Sequence, residues 1–340
     1  MKLIQVTESV GMVLCHDITE IVPGRFKGPA FKRGHIIRKQ DVGKLRDLGK
    51  EHIAVLELGP DRVHEDDAAE CLARAAAGNG IVLSKPSEGK VNLVAAMNGL
   101  LKINVNQLDG VNSIEDIMLA TLHTNRLVKK GQVVAGTRII PLTIDKAVLT
   151  AAESRCHKGF PIIEVKEIHL KRIGIVTTGS EVFHQRIKDK FGPVVREKVV
   201  SLGSSVLRQI FVPDDVAMTV AAIKDLIAEG AEVIMITGGM SVDPDDCTPG
   251  SIRATGAEVI TYGAPVLPGA MFMLGYINDI PVVGLPGCVM YHRASIFELI
   301  VPMIVAGEEV TKEYISSLGH GGFCSNCKEC RYPVCGFGKQ

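Results

Sequence analysis

Neither sign of charge is in excess in this 340-residue chain: 38 Lys and Arg face 38 Asp and Glu, for a formal net charge of zero. That balance argues against a surface built to grip nucleic acid phosphate. No uninterrupted apolar stretch approaches the roughly 20 residues needed to cross a bilayer. The opening Met1-Lys2-Leu3-Ile4-Gln5 turns polar too soon for the apolar core of a secretory signal, so the expected address is cytoplasmic. There is no internal repeat and no low-complexity linker. The apolar fraction of 46% and charged fraction of 22% exclude wholesale disorder. The length is that of about two domains.

The cysteines are distributed unevenly. Of nine, Cys15, Cys71, Cys156, Cys247 and Cys288 are scattered, whereas Cys324, Cys327, Cys330 and Cys335 crowd the end. A disulfide scaffold would spread them through the fold, and a chain of this size does not need one. A reducing compartment and a metal site account better for the clustering. Cys15, Cys71 and Cys156 read as small buried fillers.

Four segments follow from texture: 1–85, 86–169, 170–306 and 307–340. In the first, a helix is expected from Asp41 to Gly49, a strand over Ile53-Ala54-Val55-Leu56, and a helix from Asp66 to Ala77 closed by Gly78-Asn79-Gly80. The second is less legible. A helix is expected over Ser113 to Leu127 and a strand over Gly136 to Ile144.

From residue 170 strands and helices alternate. Strands are expected at Ile173–Val176, Ser205–Val212, Glu232–Ile236, Ala257–Thr261, Phe272–Ile277 and Ile280–Gly284, with Asn278-Asp279 turning between the last two. Helices fill the intervals: one region reaching Leu202, one capped by Asp214 and reaching Glu229, a short one around Pro249–Thr255, and a long one over Val289–Ala306. Such alternation means right-handed crossovers, a largely parallel sheet and helices on both faces, an α/β fold. A smaller N-terminal α+β region precedes it.

Ligands of such sheets collect beyond the carboxyl ends of the strands. Thr178-Gly179-Ser180 and Thr237-Gly238-Gly239 stand there, combining glycines for close backbone approach with hydroxyl donors and a following helix N-terminus that favours anions. Neither is a Walker A loop or a dinucleotide fingerprint, and a tight turn without a ligand fits each equally well. Acids share the rim. Asp214 and Asp215 follow one strand, and simple helix capping accounts for Asp214 as readily as function does. Asp243-Pro244-Asp245-Asp246 places three acids in four residues, which repel unless a cation, a hydroxyl-rich ligand or solvent takes up the charge.

Taken together, Thr178-Gly179-Ser180-Glu181, Pro213-Asp214-Asp215, Thr237-Gly238-Gly239-Met240-Ser241, Asp246-Cys247-Thr248-Pro249 and Leu285-Pro286-Gly287 resemble, in order and spacing, the molybdopterin-binding domain. Molybdopterin adenylyltransferases and molybdopterin molybdotransferases, the molybdenum insertases, share that domain. The resemblance spans about residues 170–306 and implies a three-layer α/β/α domain holding molybdopterin or its adenylylated form. It implies cofactor contacts from Thr178, Gly179, Ser180, Thr237, Gly238, Gly239, Ser241, Pro286 and Gly287, with the Thr-Gly-Gly loop cradling the terminal phosphate. Asp246, Glu181 and Asp214 match the family's acids and would bind Mg²⁺ or orient the chemistry. A homo-oligomer, and a molybdoenzyme as partner, follow from the same resemblance. Val10–Ile18 and Phe31–Leu56 resemble pieces of the insertase accessory domains.

The departures bear on catalysis. Insertases carry lysines at the positions of Leu267 and Ala270, on either side of Pro268-Gly269, and their loss removes anion affinity. Val195-Arg196-Glu197-Lys198 replaces a hydroxyl- and amide-bearing stretch, and Cys288-Val289 replaces the residues that continue the Pro-Gly motif. Two principal readings follow. One is molybdate insertion into adenylylated molybdopterin in molybdenum cofactor biosynthesis. The other is a non-catalytic carrier or redox-linked sensor of molybdopterin. A nucleotide-derivative hydrolase is a third, because this domain also occurs joined to such activities.

Cys324-x2-Cys327-x2-Cys330-x4-Cys335 can wrap one soft metal centre. The run of three resembles iron–sulfur ligation, although the fourth spacing is longer and no proline follows the last cysteine. Structural zinc, or a disordered thiol-rich tail, are the alternatives.

Overall fold

A computed structural model describes residues 2–55 and 61–339. The chain divides into two compact units. The first comprises Met1–Met97, Leu101–Thr124 and Val128–Val165, and the second Asn98–Leu100, Asn125–Leu127 and Lys166–Gln340. Among the described residues no helix is long and apolar enough to cross a membrane.

The first unit is α+β. Its helix Asp41–Asp47 stops before Gly49, whose φ of +74° suits glycine. The strand His52–Val55 pairs antiparallel with Lys2–Gln5; Leu56, expected to close that strand, lies outside the described residues. The helix Glu65–Ala76 buries an alanine-rich face against a four-stranded antiparallel sheet ordered Ile81–Leu83, Lys90–Ala95, Val133–Ile139, Ile117–Thr121.

The helix expected over Ser113–Leu127 is not formed. A helix occupies Val105–Asn112 instead, started by the Asn104 side chain, which accepts from Gln107 N–H at 3.3 Å. It ends where Asn112 turns its amide onto the next strand, accepting from Leu119 N–H at 2.8 Å and donating to Leu119 O at 2.9 Å. Asp116 then takes a left-handed φ of +66°. Ile117 and Leu119 bury alternately, which is strand periodicity. The strand expected over Gly136–Ile144 divides into Val133–Ile139 and Thr143–Asp145, and the helix Lys146–Lys158 went unread.

The second unit holds a six-stranded sheet. Its strands are β1 (Arg172–Thr178), β2 (Ser205–Val212), β3 (Val233–Thr237), β4 (Glu258–Tyr262), β5 (Met273–Ile277) and β6 (Ile280–Leu285), in spatial order β2-β1-β3-β6-β5-β4. The pairs β1–β2, β1–β3 and β3–β6 are parallel, while β4 and β5 complete the sheet antiparallel. Strand residues alternate between two cores. Ile173, Ile175, Val233, Met235, Val283 and Leu285 face one; Val176, Ile234, Ile236 and Val282 face the other.

The helices of this unit are α1 (Ser180–Phe183), α2 (Phe191–Ser201), α3 (Val216–Ala228), α4 (Thr248–Ala254), α5 (Ile296–Val305) and α6 (Lys312–Ser317). Val195 and Val199 of α2 and the apolar length of α5 cover the first core; Ala222, Ile223 and Leu226 of α3 with Ile252 of α4 cover the second. The result is three layers, α/β/α. The long helix expected from Val289 begins only at Ile296. Ser295 and Glu298 form a reciprocal capping box there, and Gly287–Met290 is a separate 3₁₀ turn.

Candidate functional site

Registers across the sheet bring three loops side by side, since Thr177 lies opposite Thr237 and Thr237 opposite Leu285. The chain leaves β1 at Gly179, β3 at Gly238 and β6 at Pro286, all at the carboxyl edge. Between the last two lies a cavity of about 610 Å³. Of the expected cofactor and catalytic residues, Gly238, Gly239, Ser241, Asp246, Pro286 and Gly287 line it. Leu267-Pro268-Gly269-Ala270 form the facing wall, with Cys288 beside them.

Thr178 and Thr237 are buried beneath this surface and do not line the cavity. Thr177 Oγ1 and Thr237 Oγ1 lie 3.0 Å apart, Thr178 Oγ1 and Thr248 Oγ1 3.2 Å apart, and Thr248 Oγ1 donates to Gly238 O at 2.9 Å. These hydroxyls bolt the two loops together. They also leave no room for side chains. A Cβ on Gly238 would stand 2.3 Å from the Thr178 carbonyl oxygen, and one on Gly239 2.7 Å from Thr248 Oγ1, and both residues have positive φ. The close approach of backbone to cavity is therefore forced by packing.

The acids separate by role. Asp246 turns inward, and its carboxylate accepts from Ser241 N–H at 2.5 Å, fixing the Gly-Gly-Met-Ser loop. Asp243 and Asp245 are exposed to solvent, and Asp243 Oδ1 also accepts from Asp245 N–H at 3.1 Å. Asp214 does not cap α3; Asp215 does, accepting from Met218 N–H at 2.7 Å. The register of the helix start decides which of two adjacent acids caps. Asp214 instead reaches the β1 loop, accepting from Ser180 N–H at 2.8 Å. Glu181 is exposed and its carboxylate lies over Gly179. Ser180, Glu181 and Asp214 thus form a rim outside the cavity lining, with Thr178 and Gly179 buried behind it. The helix behind this rim, α1, has four residues, too few for an appreciable macrodipole. Asp215→Ala is expected to lower stability by about 1 kcal/mol in urea unfolding. Asp214→Ala should move stability less and raise amide exchange at Ser180.

Sequence reasoning missed Phe191, at the start of α2, as a wall of the cavity. It also missed a polar chain behind the loops, in which Gln209 Nε2 donates to Thr177 Oγ1 at 2.9 Å and to Asp189 Oδ2 at 2.7 Å. Another cavity, about 1100 Å³, opens on this side between α2 and β2 and is lined by Arg186, Lys188, Arg196, Phe183 and Phe211 among others. None of the expected site residues lines it.

Burial raises the Cys288 thiol above its ordinary pKa, which keeps it protonated. Cys156 is fully buried and pushed up to about 11, as expected of an inert filler. Cys15 is likewise buried, while Cys71 is half-buried. The tail is a packed structure. Cys324, Cys330, Tyr332 and Cys335 lie against the first core, Phe337 is buried, and Tyr332 Oη donates to Glu298 O at 3.2 Å. All four tail cysteines line one cavity of about 450 Å³. Among the described residues no three His, Cys, Asp or Glu side chains converge into a ready-made site for a metal ion, and no cysteine forms a disulfide.

Residues 174–306 match the model of the probable molybdopterin binding domain, and residues 3–57 match a domain of unknown function (DUF8806). A CinA-like protein from Mycobacterium sp. is 34% identical over 90 residues, covering 26% of this chain and 21% of its own. A molybdopterin adenylyltransferase from Pyrococcus furiosus is 30% identical over 92 residues, or 27% of this chain and 54% of its own. A molybdopterin molybdenumtransferase from Staphylococcus aureus is 27% identical over 131 residues, or 36% and 31%. The chain thus spans only part of the length of each of these relatives.

Proposed function

We propose that the probable molybdopterin-binding domain at residues 174–306 serves molybdenum cofactor biosynthesis by holding molybdopterin, or its adenylylated form, in the cavity between the Gly238–Ser241 and Leu285–Cys288 loops. The side-chain-free approach at Gly238 and Gly239 supports this, because a phosphate can meet backbone there. Phe191, Met240, Met271 and Leu285 offer apolar surface for a flat heterocycle. Within this reading the protein acts as a carrier or sensor. One observation carries that choice: Asp246 is the one charged residue among those lining the cavity, and Leu267 and Ala270 stand where cations would draw in molybdate.

Insertion is the second reading, favoured by Asp246 at the cavity and Glu181 at its rim. There the two carboxylates would hold Mg²⁺ or orient molybdate. Anaerobic incubation of the protein with adenylylated molybdopterin and molybdate separates them. Under the carrier reading the ligand binds and no AMP is released. Molybdate-dependent AMP release, lost in Asp246→Asn, would establish insertion instead.

A further inference from the structure

The tail carries chemistry that pterin binding leaves unused. Cys324, Cys327, Cys330 and Cys335 come from one short loop, yet all four line a single cavity of about 450 Å³. The loop is held in place from both sides. Gly338 N–H donates to Gly321 O at 2.9 Å, closing its ends, and Phe337 is buried in the core. Cys324 N–H donates to Leu267 O and Leu267 N–H to Gly322 O, both at 2.8 Å, so the loop is bridged to the segment that walls the neighbouring cavity. Arg293, Lys328 and Arg331 line the thiol cavity and supply positive charge.

We propose that Cys324, Cys327, Cys330 and Cys335 are the ligands of one iron–sulfur cluster. Cys324-x2-Cys327-x2-Cys330 has the close, even spacing of iron–sulfur ligation. All four thiols line one cavity of about 450 Å³, which has room for an occupant several atoms across. As iron binds, each thiol releases its proton to solvent and forms one Fe–S bond, inorganic sulfide supplies the bridging atoms, and added ferric iron supplies the oxidised iron of the cluster, so that no iron changes oxidation state during assembly. Arg293, Lys328 and Arg331 offset the cluster's net negative charge, and the half-buried Cys324, Cys330 and Cys335 limit its contact with water. Nothing in this assignment depends on what the neighbouring cavity binds.

The test supplies the full chain with ferrous and ferric iron and sulfide under anaerobic conditions, then removes unbound reagents. The wild type is expected to retain iron and acid-labile sulfide in equal amounts and to show broad visible charge-transfer absorption. Cys327→Ser removes the exposed ligand, the one whose loss disturbs packing least. It should retain at least about tenfold less iron while keeping the wild-type thermal transition. Cys71→Ser, in the other unit, should load as the wild type does. Zinc bound one to one in place of iron, no retained metal, or full iron loading of Cys327→Ser would each overturn the assignment.

Discussion

Gly238→Ala is expected to abolish most ligand binding while leaving the sheet intact. The new methyl group would meet the Thr178 carbonyl oxygen at 2.3 Å and the Thr178 hydroxyl at 2.8 Å, and the backbone φ of +89° is one that alanine rarely adopts. Relief requires the Gly238–Gly239 turn to move away from β1, breaking the Thr248 Oγ1 bond to Gly238 O. Strain of this kind costs roughly 1–3 kcal/mol. Part of it would appear as lower stability and part as a displaced loop, so molybdopterin affinity should fall at least about tenfold, or ~1.4 kcal/mol. Gly250→Ala is the control, because nothing lies within 4 Å of a Cβ placed there. Titration calorimetry together with urea unfolding separates the two contributions. Unchanged affinity in a folded Gly238→Ala protein would remove this loop from the binding site.

Glu298→Ala carries the largest expected loss of stability. Its carboxylate pairs with Lys198, whose side chain is 14% exposed against 16% for Glu298 itself. The same carboxylate accepts from Ser295 N–H at 2.8 Å and Ser295 Oγ at 3.1 Å, closing the capping box that starts α5. Truncation leaves a mostly buried ammonium with only the carbonyls of His292 and Arg293, each at 3.3 Å, and the face of Phe297. Breaking a buried pair in this one-sided way costs about 3–5 kcal/mol. Replacing both partners, as in Lys198→Met with Glu298→Leu, should recover most of that loss, leaving the missing cap at about 1 kcal/mol. Equal destabilisation in the single and double variants would show that packing, and not the unpaired charge, dominates.

The sheet around the cavity was legible because its central strands are buried on both faces and read as apolar runs. Ile173–Val176 and Val233–Ile236 are examples, with Gly and Thr at the carboxyl ends marking the loops. Asp246 could be singled out as one of a crowded trio, but only the fold shows that Asp243 and Asp245 face water. Asp214 and Asp215 could not be told apart, because a one-residue register at the start of α3 decides which one caps. Residues 113–127 were misread as a helix for a different reason. Asn112 and Asp116 redirect the chain through a side-chain amide bridge and a left-handed turn, which leave only a faint mark on hydrophobic spacing. Phe191 carried no signal at all, being an ordinary apolar residue at a helix start that the packing of α2 swings to the cavity.

The central claim is that the cavity beside Gly238, Asp246 and Pro286 binds a pterin phosphate. Anaerobic calorimetric titration of the full chain with molybdopterin tests it most directly. Saturable binding that is weakened at least about tenfold in Gly238→Ala and retained in Gly250→Ala is the predicted result. Absence of binding in a protein with an intact thermal transition would contradict the claim, and the likeness to molybdopterin-binding domains would then be one of architecture alone.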